Sequence, residues 1–190
     1  MPGIVEGANM RNIAIHTLSL ALALAACGGA QDNGDDGTSR AAATSGWDAT
    51  DACKLLDKAA VGAALGDSVT ETSVAFVHQP SGAEAATSEC TYNLQSGGTL
   101  TFMARRSPIA DNTPEAIAQT RQATAASMKA FSDKPIEDIR GLGKAAFFVP
   151  GINQMNVFLD DERFVILTIS SVPGDRAKNI ASELVQKISN

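Results

Sequence analysis

Histidine is nearly missing from this chain: His16 and His78 are the only two in 190 residues. A serine or cysteine hydrolase needs a base beside its nucleophile. His16 falls inside an apolar N-terminal run, and His78 stands at an expected strand end before Pro80 with no nucleophile-elbow motif to serve. It reads as an exposed or loop histidine, with a lone pH-sensitive contact as its minor functional reading. Cysteine is almost as scarce, at three residues without a Cys-x-x-Cys spacing, which argues against a metal-bound or reactive thiol pair. Positive charge is also short: 15 Lys and Arg stand against 21 Asp and Glu, a net charge of -6, which disfavours a basic patch for nucleic acid or anionic lipid.

Long hydrophobic runs are absent except for one. Ile13 to Ala26 is almost wholly apolar for 14 residues, follows Arg11 and ends in small residues. That length suits a secretion signal and is too short to span a bilayer comfortably. Leu24, Ala25, Ala26 and Cys27 resemble the lipobox of bacterial lipoproteins, in which diacylglycerol is joined to the cysteine sulfur and cleavage falls just before it. The resemblance implies a signal peptide over residues 1–26, with Cys27 the lipidated N-terminus that buries acyl chains at about 0.8 kcal/mol per methylene. Met10 is a candidate initiator, because residues 1–9 carry Glu6 and no basic group. If the cell is diderm, Gly28 lacks the aspartate that resembles an inner-membrane retention signal, so the expected address is the outer membrane facing the periplasm.

Residues 27–46 are dominated by Gly, Ala, Ser, Thr, Asp and Asn and read as a disordered tether. Asp32 to Gly37 imitates the start of a calcium loop, but Gly34 takes a ligand position and Ala43 replaces the bidentate Glu, so no metal is expected. With Cys27 acylated, Cys53 and Cys90 remain as an even pair in a compartment that permits disulfides and are expected to be bonded.

The domain is expected over residues 47–190. Thr50 or Asp51 caps a helix carrying Ala52, Leu55, Leu56, Ala59 and Ala63, closed by Gly66. Extended segments follow at Ser68 to Val77, Cys90 to Leu94 and Thr99 to Arg105; the alternation of Tyr92, Leu94, Leu100 and Phe102 with polar residues predicts an antiparallel hairpin with one wet face. A second helix starts at Asn112 or Thr113 with Pro114 and Glu115 and runs to Phe131, its stripe being Ile117, Thr124, Met128 and Phe131. Short strands near Ile136 to Ile139, Lys144 to Val149, Gln154 to Leu159 and Arg163 to Ser171 precede a last helix, Gly174 to Ile188, with a near-ideal apolar face. Helix plus about three strands thus occurs twice before a closing helix, which suggests an α+β domain with an antiparallel sheet and a topological duplication.

Cys53, Leu55, Leu56, Val61, Ala64, Leu65 and Gly66, then Cys90 with an aromatic two residues on, and later Gly141, Leu142, Gly143 and Ala145, together resemble a family of secreted bacterial lipoproteins of unknown function, common in actinobacteria. The likeness spans most of residues 50–190. Ala52 stands where such proteins often carry proline, and Tyr92 where tryptophan is common. It implies a Cys53–Cys90 disulfide and a compact α+β domain, and it implies no catalytic residues.

Other chemistry is sparse. Gly141 to Lys144 imitates a phosphate loop, but Ala145 replaces the magnesium-holding hydroxyl and a tight turn explains it better. Asp160, Asp161 and Glu162 fall in a hairpin turn where solvent should keep their acidity ordinary, and Glu137 with Asp138 reads similarly. The best positional hint is apolar. Phe164 to Ile169 is hydrophobic at nearly every position, so either protein covers both faces of that strand or one face, with Phe164, Ile166 and Thr168, lines a concave surface. The expectation is a noncatalytic, cofactor-free envelope lipoprotein, moored to the membrane through Cys27, binding an envelope protein or a lipid-like apolar ligand and no nucleic acid. An enzyme with a site visible only in three dimensions, and a structural or sensory module, are the rivals.

Overall fold

Asp51 accepts a hydrogen bond from the Lys54 N–H and starts α1 (Ala52–Leu55). In this computed structural model, which describes residues 46–189, the first helix is two helices and not one. Leu56 is extended, at φ -123° and ψ 106°, and the Asp57 carboxylate accepts from the N–H groups of Ala59 and Ala60 to start α2 (Lys58–Leu65). Asp57 is a better cap than an interior residue. The signal, Cys27, the calcium-like run 32–37 and the tether up to residue 45 lie outside the described residues.

After α2 the chain forms β1 (Val69–His78), β2 (Ala86–Leu94) and β3 (Thr99–Arg106). Next come α3 (Pro114–Met128), β4 (Glu137–Ile139), β5 (Ala145–Val149), β6 (Gln154–Phe158), β7 (Arg163–Ile169) and α4 (Gly174–Ile188). The strands make one sheet in the order β1-β2-β3-β7-β6-β5-β4, antiparallel at every pairing described. The α+β class holds. The β2–β3 and β6–β7 hairpins meet in mirror order along the β3–β7 pair, while the second half carries an additional short strand, β4, and its helix α3 packs on a different cluster from α1 and α2.

One face of the sheet is sealed. Cys90, Tyr92, Leu100, Phe102, Val165, Leu167, Met155 and Val157 point to it and pack against Leu56 with Val61 and Leu65 of α2 and the Ala177, Ala181, Leu184 and Val185 stripe of α4. The Cys53–Cys90 disulfide ties α1 to β2 across 37 positions. On the chain-entropy model such a loop stabilises the fold by about 4 kcal/mol. The Tyr92 hydroxyl donates to the Leu56 carbonyl, left without a helical partner where α1 stops. Ser88 secures the entering segment, accepting from the Ala52 N–H and donating to the Ala49 carbonyl.

The other face is covered unevenly. Phe147, Val149, Phe158 and Phe164 form a second, smaller cluster, with Ile117 and Met128 of α3 packed against it. No residue of α3 is itself fully buried. Its stripe is also shorter than expected: the helix stops at Met128, whose carbonyl accepts from the N–H groups of Phe131 and Ser132, and Phe131 is left 81% exposed. Beyond α3, toward β3, β2 and β1, this face presents a hydroxyl and amide row in register, Ser73, Thr91, Thr101, Thr168 and Gln154. The glycine turn behaves as a turn: a Cβ on Gly143 would come within 2.5 Å of the Phe158 carbonyl oxygen. Near the end of β1 a bulge puts Phe76 at φ 51° with 80% of it exposed. A bulky side chain is disfavoured in that region by roughly 1–3 kcal/mol.

Candidate functional site

The strand β7 has two different environments. Val165, Leu167 and Ile169 point into the sealed core. On the opposite face Phe164 is 8% exposed, tilted against Phe158 with ring centroids 4.5 Å apart, while Ile166 and Thr168 are only half-buried. Neither reading of the sequence holds alone, because α3 closes the face at Phe164 and leaves it partly open from Ile166 onward.

The reason lies in the composition of α3. Thr113 caps it by accepting from the Ala116 N–H, and its interior is rich in alanine, threonine and glutamine. Thr120 and Thr124 donate their hydroxyls back to the carbonyls of Ala116 and Thr120. Two large apolar side chains, Ile117 and Met128, are left to cover the Phe-rich cluster. Helix propensity is satisfied while the apolar stripe stays narrow.

Hollows flank this helix. A groove of about 650 Å³ runs beside Thr120, Thr124 and Met128 to Ile152 and Gln154. A smaller cavity of about 230 Å³ reaches Phe158 and Phe164 past Ala116, with Arg105 and Asp111 at its margin. The strands behind carry rows in register, Met103, Ile166 and Asn156 in one and Thr101, Thr168 and Gln154 in the next, and of these Gln154 lines the groove. Asn156, buried between Met155 and Val157, donates to Gln154 Oε1 at 3.3 Å, and Gln154 Nε2 donates to Thr168 Oγ1 at 3.3 Å. The groove is therefore apolar at Met128 and Ile152 and hydrogen-bonding at Gln154, which Thr168 holds from behind, while Met103 and Ile166 pack against the Phe-rich cluster. Asn156 and Gln154 were not singled out from sequence, although a lone asparagine between Met155 and Val157 was the available signal.

Charged groups frame one end. The Arg105 guanidinium bonds to Asp111 and holds that carboxyl below the usual range. Asn112, also buried, donates to the carbonyls of Asp160 and Arg163 and pins the start of α3 to the β6–β7 turn. In that turn Asp160 departs from the ordinary acidity expected of it. Burial pushes it up, but the backbone N–H groups of Glu162 and Arg163 and the Arg163 guanidinium outweigh that and hold it low. It is thus a structural anion and ill suited to be a proton donor.

His78 lies exposed at the end of β1, 3.2 Å from Glu84. Glu137 pairs with Lys178 of α4, and Asp138 with Arg121 of α3. Among the described residues no three His, Cys, Asp or Glu side chains gather as a metal-binding group, and no helix is long and apolar enough to cross a membrane.

Comparison of the chain with family profiles, curated proteins and solved structures finds no match. The geometry of the face beside α3 therefore has to speak for itself.

Proposed function

We propose that the chain is a cell-envelope lipoprotein, anchored through an acylated Cys27, whose domain is a noncatalytic binding module that takes a small amphiphilic ligand in the groove along α3. The carrying observation is the incomplete cover of the sheet by α3: Thr168 stays half-buried and is bonded to Gln154, which with Met128 and Ile152 lines a groove of about 650 Å³. Met128 and Ile152 supply apolar lining, and Gln154, bonded to Thr168, supplies donors and acceptors for a polar group. A few polar groups placed in a mostly apolar concavity fit a binding site for a small molecule. The lipobox-like run before Cys27 and the likeness to secreted lipoproteins support the address. An envelope protein segment is the rival occupant.

Titration of the purified chain with a fluorescent fatty-acid analogue tests this reading. Saturable one-to-one binding is expected, weakened about tenfold or more by Ile152→Asp, which puts a charge into the apolar lining of the groove. A linear, non-saturating signal that the substitution does not change would refute it.

A further inference from the structure

The N-terminal segment joins the domain at one particular end of the sheet. Trp47 is buried there beneath Arg163, whose guanidinium carbon lies 5.6 Å from the ring centroid. Arg163 and Arg106 stand opposite each other on β7 and β3, and the row next to them runs His78, Thr87, Arg105, Phe164 and Phe158. This row marks the edge beyond which the 79–85 loop, the 107–112 loop and the 160–162 turn project.

Three of the six large apolar side chains most exposed among the described residues gather at this end: Phe76 at 80%, Val77 at 49% and Ile109 at 58%. Phe76 and Val77 occupy the bulge just before His78. Ile109 follows Pro108 in the loop that bonds back to the 160–162 turn through the Ser107 and Asn112 N–H groups. β1 and β3 are two strand spacings apart, so about 10 Å separates the strand ends from which the Phe76–Val77 bulge and the loop bearing Ile109 lead. Bulges commonly re-aim a side chain, and Phe76 keeps a disfavoured backbone conformation while its ring gains no cover within the domain.

We infer that this end is a membrane-facing surface on which Phe76, Val77 and Ile109 enter the interfacial zone of the bilayer that holds the lipid anchor. The inference rests on the anchoring at Cys27 proposed above. The 19 residues between Cys27 and Trp47 enter the domain at this end, so the end bearing Trp47 is the one attached nearest the anchor. Attachment by a short linker also raises the local concentration of the surface, so a weak contact suffices. The chain is acidic overall, but the crevice beside Trp47 is lined by Lys54, Arg106, Arg163 and Lys187 against Asp160 and Glu162, and Glu84, Asp111 and Asp161 in the projecting segments face His78, Arg105 and Lys144, which limits the repulsion at this end.

Trp47 is the only tryptophan, so its fluorescence reports this end alone. The experiment places the chain from Cys27 onward in vesicles of three parts phosphatidylcholine to one part phosphatidylglycerol, with and without bromine on the acyl chains. One preparation keeps its native acyl groups; the other is joined through the Cys27 thiol to a maleimide lipid. Bromine is expected to quench Trp47 about twofold or more, and Phe76→Ser with Ile109→Ser to remove more than half of that quenching, because interfacial segments settle about 5–10 Å deep. Both substituted residues are exposed, so the fold should tolerate the change. Quenching that is absent, or that survives the double substitution, overturns the inference. Failure of the anchor itself appears separately, as native chain whose mass shows no acyl group, while the maleimide preparation still decides the surface.

Discussion

Replacing Tyr92 with phenylalanine tests how the sealed face is held together. The Tyr92 hydroxyl is buried, donates to the Leu56 carbonyl and sits near Asp57 and Asp51. Burial first, and those two carboxylates second, push its ionisation well above the ordinary value of 10.0. At neutral pH Tyr92→Phe leaves the Leu56 carbonyl unpaired and should cost about 1–2 kcal/mol. For a domain of this size that lowers Tm by roughly 3–8 °C.

The pH dependence has a definite sign. The folded state holds the phenolic proton to a higher pH than the unfolded state does, so the contribution is complete below about pH 10 and declines above it, until the folded group also ionises. One group of this kind removes about 1.4 kcal/mol by pH 11. The stability gap between wild type and Tyr92→Phe should therefore narrow by about that amount between pH 9 and pH 11, with lysine titration cancelling in the difference. Thermal unfolding across this range measures the gap. Because Tyr92 is the only tyrosine, tyrosinate absorbance near 295 nm reads its ionisation directly. A native protein that ionises near pH 10 without losing stability would refute the reasoning.

Removing the disulfide with Cys53→Ala and Cys90→Ala should lower stability by about 4 kcal/mol in urea unfolding; a reducing agent should do the same to wild type and nothing to the variant. Gly143→Ala, with φ 62° and its new Cβ against the Phe158 carbonyl, should cost about 2 kcal/mol or more, whereas Gly141→Ala, with φ 75° but open space around it, should cost about 1 kcal/mol; equal losses in thermal unfolding would contradict the close approach. Asp160 is held low when folded, so its contribution is present above about pH 4 and fades as the pH falls through its depressed value. Asp160→Asn should flatten the acid limb of the stability curve by about 1 kcal/mol at most, since solvent screens this partly exposed group.

The parts of the fold legible in the sequence are those where one local signal acts alone. The Ala177 to Ile188 stripe specifies α4, and the alternation around Tyr92 and Phe102 specifies a hairpin with one buried face. The break at Leu56 was hidden because Leu55 and Leu56 satisfy a helical spacing, and Asp57 declares itself as a cap only once the chain turns. Strand order was not legible, because β3 and β7 meet through residues 57 to 69 positions apart and alternation does not name a partner. The candidate site was half legible: the run from Phe164 to Ile169 pointed to β7, but how far α3 covers it depends on where the helix lies.

The two halves of the sheet use a similar strand plan for different ends, and the helices explain the difference. α1, α2 and α4 all pack on one face, so the apolar alternation of β2, β3, β6 and β7 is fully used there. The other face has a single helix for seven strands, and α3 spends its narrow stripe on Phe147, Val149, Phe158 and Phe164. β2 and β3 therefore carry Thr91, Asn93 and Thr101 toward solvent, while β7, at the border, carries Ile166 and Thr168 side by side. A strand at the limit of a helix's cover must be apolar on the covered side and polar beyond it. That transition leaves the groove beside α3 uncovered, and widening the stripe should close it: Thr124→Leu on α3 should stabilise the domain while displacing a ligand held beside Gln154. Stabilisation without loss of binding would place the ligand elsewhere.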